Sequence, residues 1–473
     1  MLNVTDEQKR AYNGNSIHKT LRLYFPNLNL TITNNKIYES SMKLKESLME
    51  GNNIEFVGCI SSQFSIQIYD VPQNLKGQRI EVYVKTDDTD EIPLFKGIVD
   101  SAKMQTNRKF KDITAYDVLY TKGQIDVAGW YNNLTFPITL GEFRNSLCSY
   151  IGLEQMETVL PNDDIVIEKK FVPKTLKCLT VLKSICQING CFGIINRAGL
   201  FEYRFIYNAF DEVYPSVTLF PPFYPVADHS KDAGEISNNF SFYRNINYEE
   251  FVVKPVERLQ IRDSEDDDGV FVGNPTGNKY IIQNNMFAYD MDKKTLEKMG
   301  ERIFEKIANI SFHPCSTSNN GLPFVEVGDV VEYNLGGINT RSMARSSGSG
   351  SYDVNQFNVM SREISGIQAL KDNYVASGEE EQSEFVTDIQ AQIDAIKRNG
   401  VNMDDYYTKE EIDLTLEDFI PYETAEFEFG QIADMKIKEM EEPTGWKAES
   451  VNSLPDMIEP ITLYLIRGGI IIE

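Results

Sequence analysis

Apolar and polar residues alternate through most of the first 120 positions. LRLYF, LNLTIT, FSIQIYDV, RIEVYVKT, PLFKGIVDSAKM and KDITAYDVLY each put aliphatic or aromatic residues on one parity and polar ones on the other, as half-buried strands do. Gly, Asn, Pro and Asp separate the runs. The pattern predicts an antiparallel β domain over residues 1–125.

From residue 126 the spacing of apolar residues lengthens. Leu140, Phe143, Leu147 and Ile151 stand three or four apart, Thr139 and Glu142 have capping-box spacing, and Gly152 follows as a C-cap. LKCLTVLKSICQINGC repeats the helical spacing with Leu179, Leu182, Ile185 and Ile188 and stops at Gly190. Two strands, FGIINRAG and LFEYRFI, then meet at an Asn-Arg-Ala-Gly turn. Residues 126–210 therefore read as a small α+β insert.

Strand texture returns in NFSFYRN, FVVKPVERLQIRD, GVFVG and KYIIQNN. It is interrupted by a helix whose Leu296, Met299, Ile303 and Ile307 share one face. GLPFVEVGDVVEYNL and FNVMSREISGIQAL follow, joined by the Gly/Ser-rich NTRSMARSSGSGSYD, a loop between two hairpin strands. The result is a second β domain with one helix, residues 211–378. In residues 379–473, Val386, Ile389, Ile393 and Ile396 carry the spacing of a coiled-coil seam, too short to hold an oligomer alone. YYTKEEIDLTLEDF predicts a short helix, and PITLYLIRGGIIIE predicts a terminal apolar hairpin that expects cover from a partner. The fold class is mainly β with an α+β insert and a C-terminal arm.

Charge narrows the function. With 46 Lys and Arg against 71 Asp and Glu, the formal charge of -25 disfavours a protein that grips nucleic acid, though it suits a surface past which DNA slides. The six cysteines form no CxxC pair and read as buried apolar groups in a reducing compartment. Three histidines offer no zinc pattern, so no metal or cofactor is expected. The N-terminus has no apolar signal core and no stretch approaches a membrane span, which implies synthesis in the cytoplasm without export.

The motifs that invite chemistry fail on spacing. Gly273 to Lys279 has its glycines too close for a phosphate loop and reads as a hairpin turn. The acidic run Asp263 to Asp268 before Gly269 would place Pro275 where a calcium loop needs a bidentate Glu, so it reads as a solvated turn. Ser40 and Lys43 match SxxK without the companion motifs of that chemistry. No catalytic residue stands out, and no enzyme is expected.

Several segments together resemble the hub proteins at the distal end of bacteriophage tails, the tail-associated or baseplate-hub family of phages and prophages of Gram-positive bacteria. They are residues 47–68 (SLMEGNNIEFVGCISSQFSIQI), 75–84, 93–120, 135–155, 160–171, 179–203, 321–333 and 361–382. The resemblance covers residues 1–382 and rests on order and spacing rather than on one motif. It implies two tail-tube-like split β-barrels per chain and a homotrimer that mimics the sixfold end of the tail tube. It also implies contacts with tail-tube, distal-tail and tape-measure proteins, and a place at the distal end of the virion. The short arm after the hub, with YYTKEEIDL and SLPDMIEPITLYLI, is similar to segments of tail tips and fibres, and implies docking of tip or receptor-binding proteins. Within this reading Val386, Ile389, Ile393 and Ile396 form a threefold seam, and an acidic lumen lets the genome pass without specific binding. The alternatives are a tail-tip enzyme that degrades peptidoglycan or capsule, and the hub of a tailocin or contractile injection particle.

Overall fold

A computed structural model describes residues 2–12, 17–206, 217–219, 243–334, 354–379, 447–451, 462–466 and 469–471, except 3, 50, 52, 53, 55, 57, 265, 266 and 309. The chain divides into two units, Met1–Met403 and Asp404–Glu473.

The first unit opens with helix α1 (Asp6–Ala11), followed by strands β1 (Lys19–Phe25), β2 (Leu30–Thr33), β3 (Lys43–Ser47), β4 (Gln63–Tyr69), β5 (Arg79–Thr86), β6 (Ile92–Met104) and β7 (Phe110–Tyr116). Burial alternates strictly along β1, β4 and β7, as the period-two pattern predicts. The last predicted strand is corrected at its end. In KDITAYDVLY the sheet stops at Tyr116, and Val118–Lys122 forms helix α2 with Asp117 as its N-cap. The Asp117 carboxylate accepts from the Leu119 amide at 2.9 Å, the Ser61 hydroxyl at 2.8 Å and the Ser62 amide at 2.6 Å. A side chain that can cap a helix start outcompetes one more ladder position.

The insert contains α3 (Ala128–Asn133), β8 (Ile138–Thr139), α4 (Leu140–Ile151), β9 (Val166–Ile167), α5 (Cys178–Gln187), β10 (Phe192–Ile195) and β11 (Phe201–Arg204). Thr139 and Glu142 form the capping box and Gly152 closes α4 at φ 63°. The second helix ends at Gln187, and Gly190 turns the chain at φ 66°. A Cβ there would lie 2.9 Å from Ile307, so the turn also needs glycine for space. The predicted hairpin is β10 paired with β11 around Asn196–Gly199. All six cysteines are free and buried.

Strands β12 (Val217–Leu219), β13 (Tyr243–Tyr248), β14 (Arg258–Arg262), β15 (Val270–Gly273) and β16 (Lys279–Gln283) precede helix α6 (Lys293–Ile307), and β17 (Cys315–Asn320), β18 (Val330–Asn334), β19 (Val354–Asn358), β20 (Ser361–Ser365) and β21 (Lys371–Ala376) follow it. The predicted stripe of Leu296, Met299, Ile303 and Ile307 is the buried face of α6. One expectation fails here. Residues 273–279 are no hairpin turn, because β15 and β16 flank β14 on opposite sides, antiparallel and parallel to it respectively. The turn residues reverse the chain locally, but the destination strand lies beyond the neighbour. The loop 339–353 lies outside the described residues, although β18 and β19 on either side do pair antiparallel.

Strands from both β regions form one antiparallel sheet of 11 strands, ordered β13-β17-β21-β20-β3-β4-β7-β6-β5-β1-β2. The join is β20 on β3, with Arg362 opposite Glu46 and Ile364 opposite Leu44. One contiguous core runs beneath the sheet and the insert. Phe143 of α4 ties these parts together, with edge-on contacts to Trp130 and Tyr131 in the insert and to Phe287 beyond β16.

The second unit contains β22 (Lys447–Val451), β23 (Thr462–Ile466) and β24 (Gly469–Ile471). β23 and β24 pair antiparallel with Ile466 opposite Gly469, which is the predicted terminal hairpin. The predicted helix in 406–419 lies outside the described residues.

Truncating Phe143 to Ala removes the ring shared by three elements and should lower unfolding free energy by about 3–5 kcal/mol, read from urea denaturation. Burial pushes the Asp117 carboxyl up to about 6, against hydrogen bonds from Ser62, Ser61 and Leu119 that oppose the rise. Because the folded value lies above the unfolded one, its contribution to stability is complete below about pH 4 and is lost as pH rises through 6. Between pH 4 and pH 7 Asp117→Asn should therefore gain on the wild type by roughly 2–3 kcal/mol, measured as the change in the difference between their unfolding free energies.

Candidate functional site: the seam between the two β regions

The chemistry-bearing side chains that the fold brings together lie where β3 meets β20. On β3 the residues Leu44 and Glu46 point inward, on β20 Arg362 and Ile364, and on β21 Asp372 and Tyr374. Each strand thus sends one charge into the core on the parity of its apolar residues.

Arg362 is 2% exposed and Asp372 is 0% exposed. Three contacts pair them, Nη2 to Oδ2 at 2.7 Å and Nε to Oδ1 at 2.9 Å and to Oδ2 at 3.2 Å. Arg362 also donates to the Leu322 carbonyl at 2.8 Å, to the Val325 carbonyl, and to Glu46 at 3.3 Å. Glu46 accepts a second bond, 2.7 Å from Arg197 Nη2. Arg197 stands in the β10–β11 turn and reaches the Leu94 carbonyl on β6 with its other terminal nitrogen. Its Nε is 3.8 Å from Glu326, whose other oxygen is 3.5 Å from Arg204 on β11. Arg204 completes the chain on Glu202 at 2.7 Å and on the Val327 carbonyl at 2.6 Å.

The result is a line of alternating buried charges through the first β region, the insert turn and the 322–327 segment. Burial alone would lower the Arg362 value, but Asp372, Tyr374 and Glu46 outweigh it and hold the guanidinium firmly charged. Burial opposes ionisation of Glu326 as well, yet Arg204 and Arg197 keep its carboxyl below the ordinary range. Asp372 shows the opposite balance, since burial raises it against the pull of Arg362.

Above this line, on the solvent side of the same strands, a groove of about 490 Å³ opens between β20, β3 and β4. Its rim includes Lys45, Glu363, Gln63, Asn373 and Tyr116. Lys43 Nζ is 2.9 Å from Glu363, so this lysine is engaged across the seam rather than with Ser40. The SxxK spacing therefore has no catalytic geometry here. In the acidic run Asp267 accepts from the Asp263 and Gly269 amides, which makes it a self-capped turn. Among the described residues no group of three or more metal-ligating side chains converges. The predicted seam residues Val386, Ile389, Ile393 and Ile396 lie outside the described residues.

The buried charges were missed at the level of sequence, although a signal was present. In KLKES, SREIS and KDNYVA the charge on the apolar parity marks an inward position. Three such charges of mixed sign call for partners across strands.

No family model matches the chain. No curated protein matches it either. Among solved structures it is similar to the tail protein from Neisseria meningitidis MC58, at 9% identity and TM-score 0.45, covering 76% of this chain and 96% of that one. It is similar to the 43 kDa tail protein of prophage MuSo2 from Shewanella oneidensis at 12% identity and TM-score 0.44, covering 75% and 97% respectively. The prophage tail protein gp18 from Listeria monocytogenes EGD-e matches at 10% identity and TM-score 0.44, covering 80% of this chain and 99% of that one.

Arg362→Met strands the Asp372 carboxylate in the core and should cost about 3–5 kcal/mol. Adding Asp372→Leu should recover part of that loss. The check is chemical denaturation of wild type, single and double variants at pH 7, where a double variant less stable than the single one would reject the coupling.

Proposed function

We propose that this chain is a structural protein of a phage-type tail, a homotrimeric hub that caps the distal end of the tail tube. One observation carries the reading. Strands from both β regions share a single antiparallel sheet, and among the described residues its outer strands, β2 and β13, have no second partner. Free edges at both ends of one sheet favour head-to-tail association with further copies, and a head-to-tail contact that closes makes a ring. The sequence resemblance over residues 1–382 supplies the class of ring. The regions 1–125 and 211–378 are its two quasi-equivalent tail-tube-like blocks, with the insert 126–210 between them.

In this function the chain performs no catalysis. It binds tail-tube, distal-tail and tape-measure proteins on one side, and tip or receptor-binding proteins through residues 379–473 on the other. It opens or shifts when the genome is ejected. Val386, Ile389, Ile393 and Ile396 extend the threefold axis into the arm.

Mass photometry of the purified chain should find three copies of 54.0 kDa, about 162 kDa. Ile389→Asp with Ile393→Asp should leave that mass unchanged while protease releases the arm faster. A monomer at micromolar concentration would reject the hub, and unchanged protection of the arm would reject the seam.

A further inference from the structure

The free cysteines are not scattered evenly through the core. Cys59, just ahead of β4, brings its Sγ to 3.5 Å from the Sγ of Cys186 in the last turn of α5. Cys59 is 3% exposed and Cys186 is 0% exposed. A third thiol, Cys191, stands one residue before β10 and directs its Sγ at the Cys186 carbonyl, 3.7 Å away. Glycine makes room for the pair. A Cβ at Gly193 would lie 2.6 Å from the Cys59 Sγ and 2.6 Å from the Phe201 ring, so a larger residue there would push the sulfur from its place. A disulfide holds its sulfurs about 2.05 Å apart. The two thiols must therefore close by about 1.5 Å, a movement that rotations of both side chains can share.

We propose that Cys59 and Cys186 are a redox modification site, a latent disulfide that ties the first β region to the insert. The proposal rests on this geometry and is independent of the tail reading. Hydrogen peroxide is a sufficient oxidant. One thiol loses its proton and its sulfur attacks the peroxide, which breaks the O–O bond and leaves a sulfenic acid and one water. The second sulfur then attacks the sulfenic sulfur, and the departing oxygen takes up its proton and leaves as a second water. Two thiols and one peroxide become one disulfide and two waters, each sulfur giving up one electron and the peroxide taking both.

Burial sets the pace. It holds both thiols well above the ordinary range, and the thiolate is the attacking form, so the closed protein reacts slowly. The way in is local opening. Cys59 meets Gly193 through an isolated bridge, and the Gly193 amide donates to the Gly58 carbonyl at 2.8 Å. A segment held in this way opens at lower cost than the interior of a ladder, and its opening uncovers both sulfurs together. Once made, the bond closes the chain between residues 59 and 186 and restricts the unfolded state, which stabilises the folded one.

The test treats the reduced, folded, full-length chain with hydrogen peroxide, quenches with acid, alkylates the remaining thiols in denaturant and weighs the product. The number of alkylated thiols should fall from six to four. Peptide mapping without reductant should recover a single cross-linked species that joins the Cys59 and Cys186 peptides within one chain. The urea midpoint should rise on oxidation and return on reduction. Cys59→Ala and Cys186→Ala should each keep all five of their remaining thiols, whereas Cys315→Ala, in the second β region, should still lose two. The wild-type peptide map decides the matter by itself if an alanine variant fails to fold. Six alkylated thiols after oxidation, a bond from Cys186 to Cys191, a link between chains or an unchanged urea midpoint would overturn the site.

Discussion

The structure depends on the buried pairing of Arg362 with Asp372 and its extension through Glu46, Arg197 and Glu326. Taking these groups out of water is expensive, and their mutual attraction repays the cost only in the assembled arrangement, where each charge has its partner and the carbonyls of Leu322, Val325 and Leu94 accept three further donors. An apolar seam of the same volume would tolerate sliding or repacking. A line of alternating charges does not, since shifting β20 by one residue against β3 would turn Arg362 to the solvent face and leave Asp372 without its cation and Glu46 with Arg197 alone. The network therefore fixes register at the one place where strands distant in sequence must join.

It also fixes the insert. Arg197 stands in a four-residue turn whose Gly199 adopts φ 85°, and that turn is short enough to be carried wholly by the β10–β11 hairpin. Through it the insert contributes one cation that touches both β3 and β6. Removing the turn would leave Glu46 with Arg362 as its remaining cation at 3.3 Å. The insert is in this sense a part of the seam, which explains why the core beneath the sheet continues without a break into α4 and α5.

Much of this architecture was legible in the residues. Alternation placed β1, β4, β5 and β7, the Thr139–Glu142 pair fixed the start of α4, and the stripe from Leu296 to Ile307 named the buried face of α6. These signals are local, so they survive whatever the rest of the chain does. What escaped was decided at a distance. Gly273 to Lys279 has turn composition, but whether the next strand returns beside its predecessor or crosses to the far side of β14 depends on where β14 already lies. Asp117 sits in a run of strand-forming residues, and only the approach of Ser61 and Ser62 makes capping the better use of its carboxylate. The seam charges were visible as parity violations in three short strands, yet their partners are as far apart as Glu46 and Arg362.

The same distance separates the two jobs that charge performs in this chain. Inside the sheet, a handful of buried ions set register, and because each has an opposite charge within about 4 Å they largely offset one another beyond the seam. Outside, solvent screens individual surface pairs and only the sum over a region matters. That sum is strongly negative beyond residue 379, and on the solvent side of the seam Lys43 and Lys45 share Glu363. The overall charge of -25 describes neither surface. For a protein whose strands are shared across distant stretches of sequence, charge is informative only after the register is known, because register decides which side chains are added together.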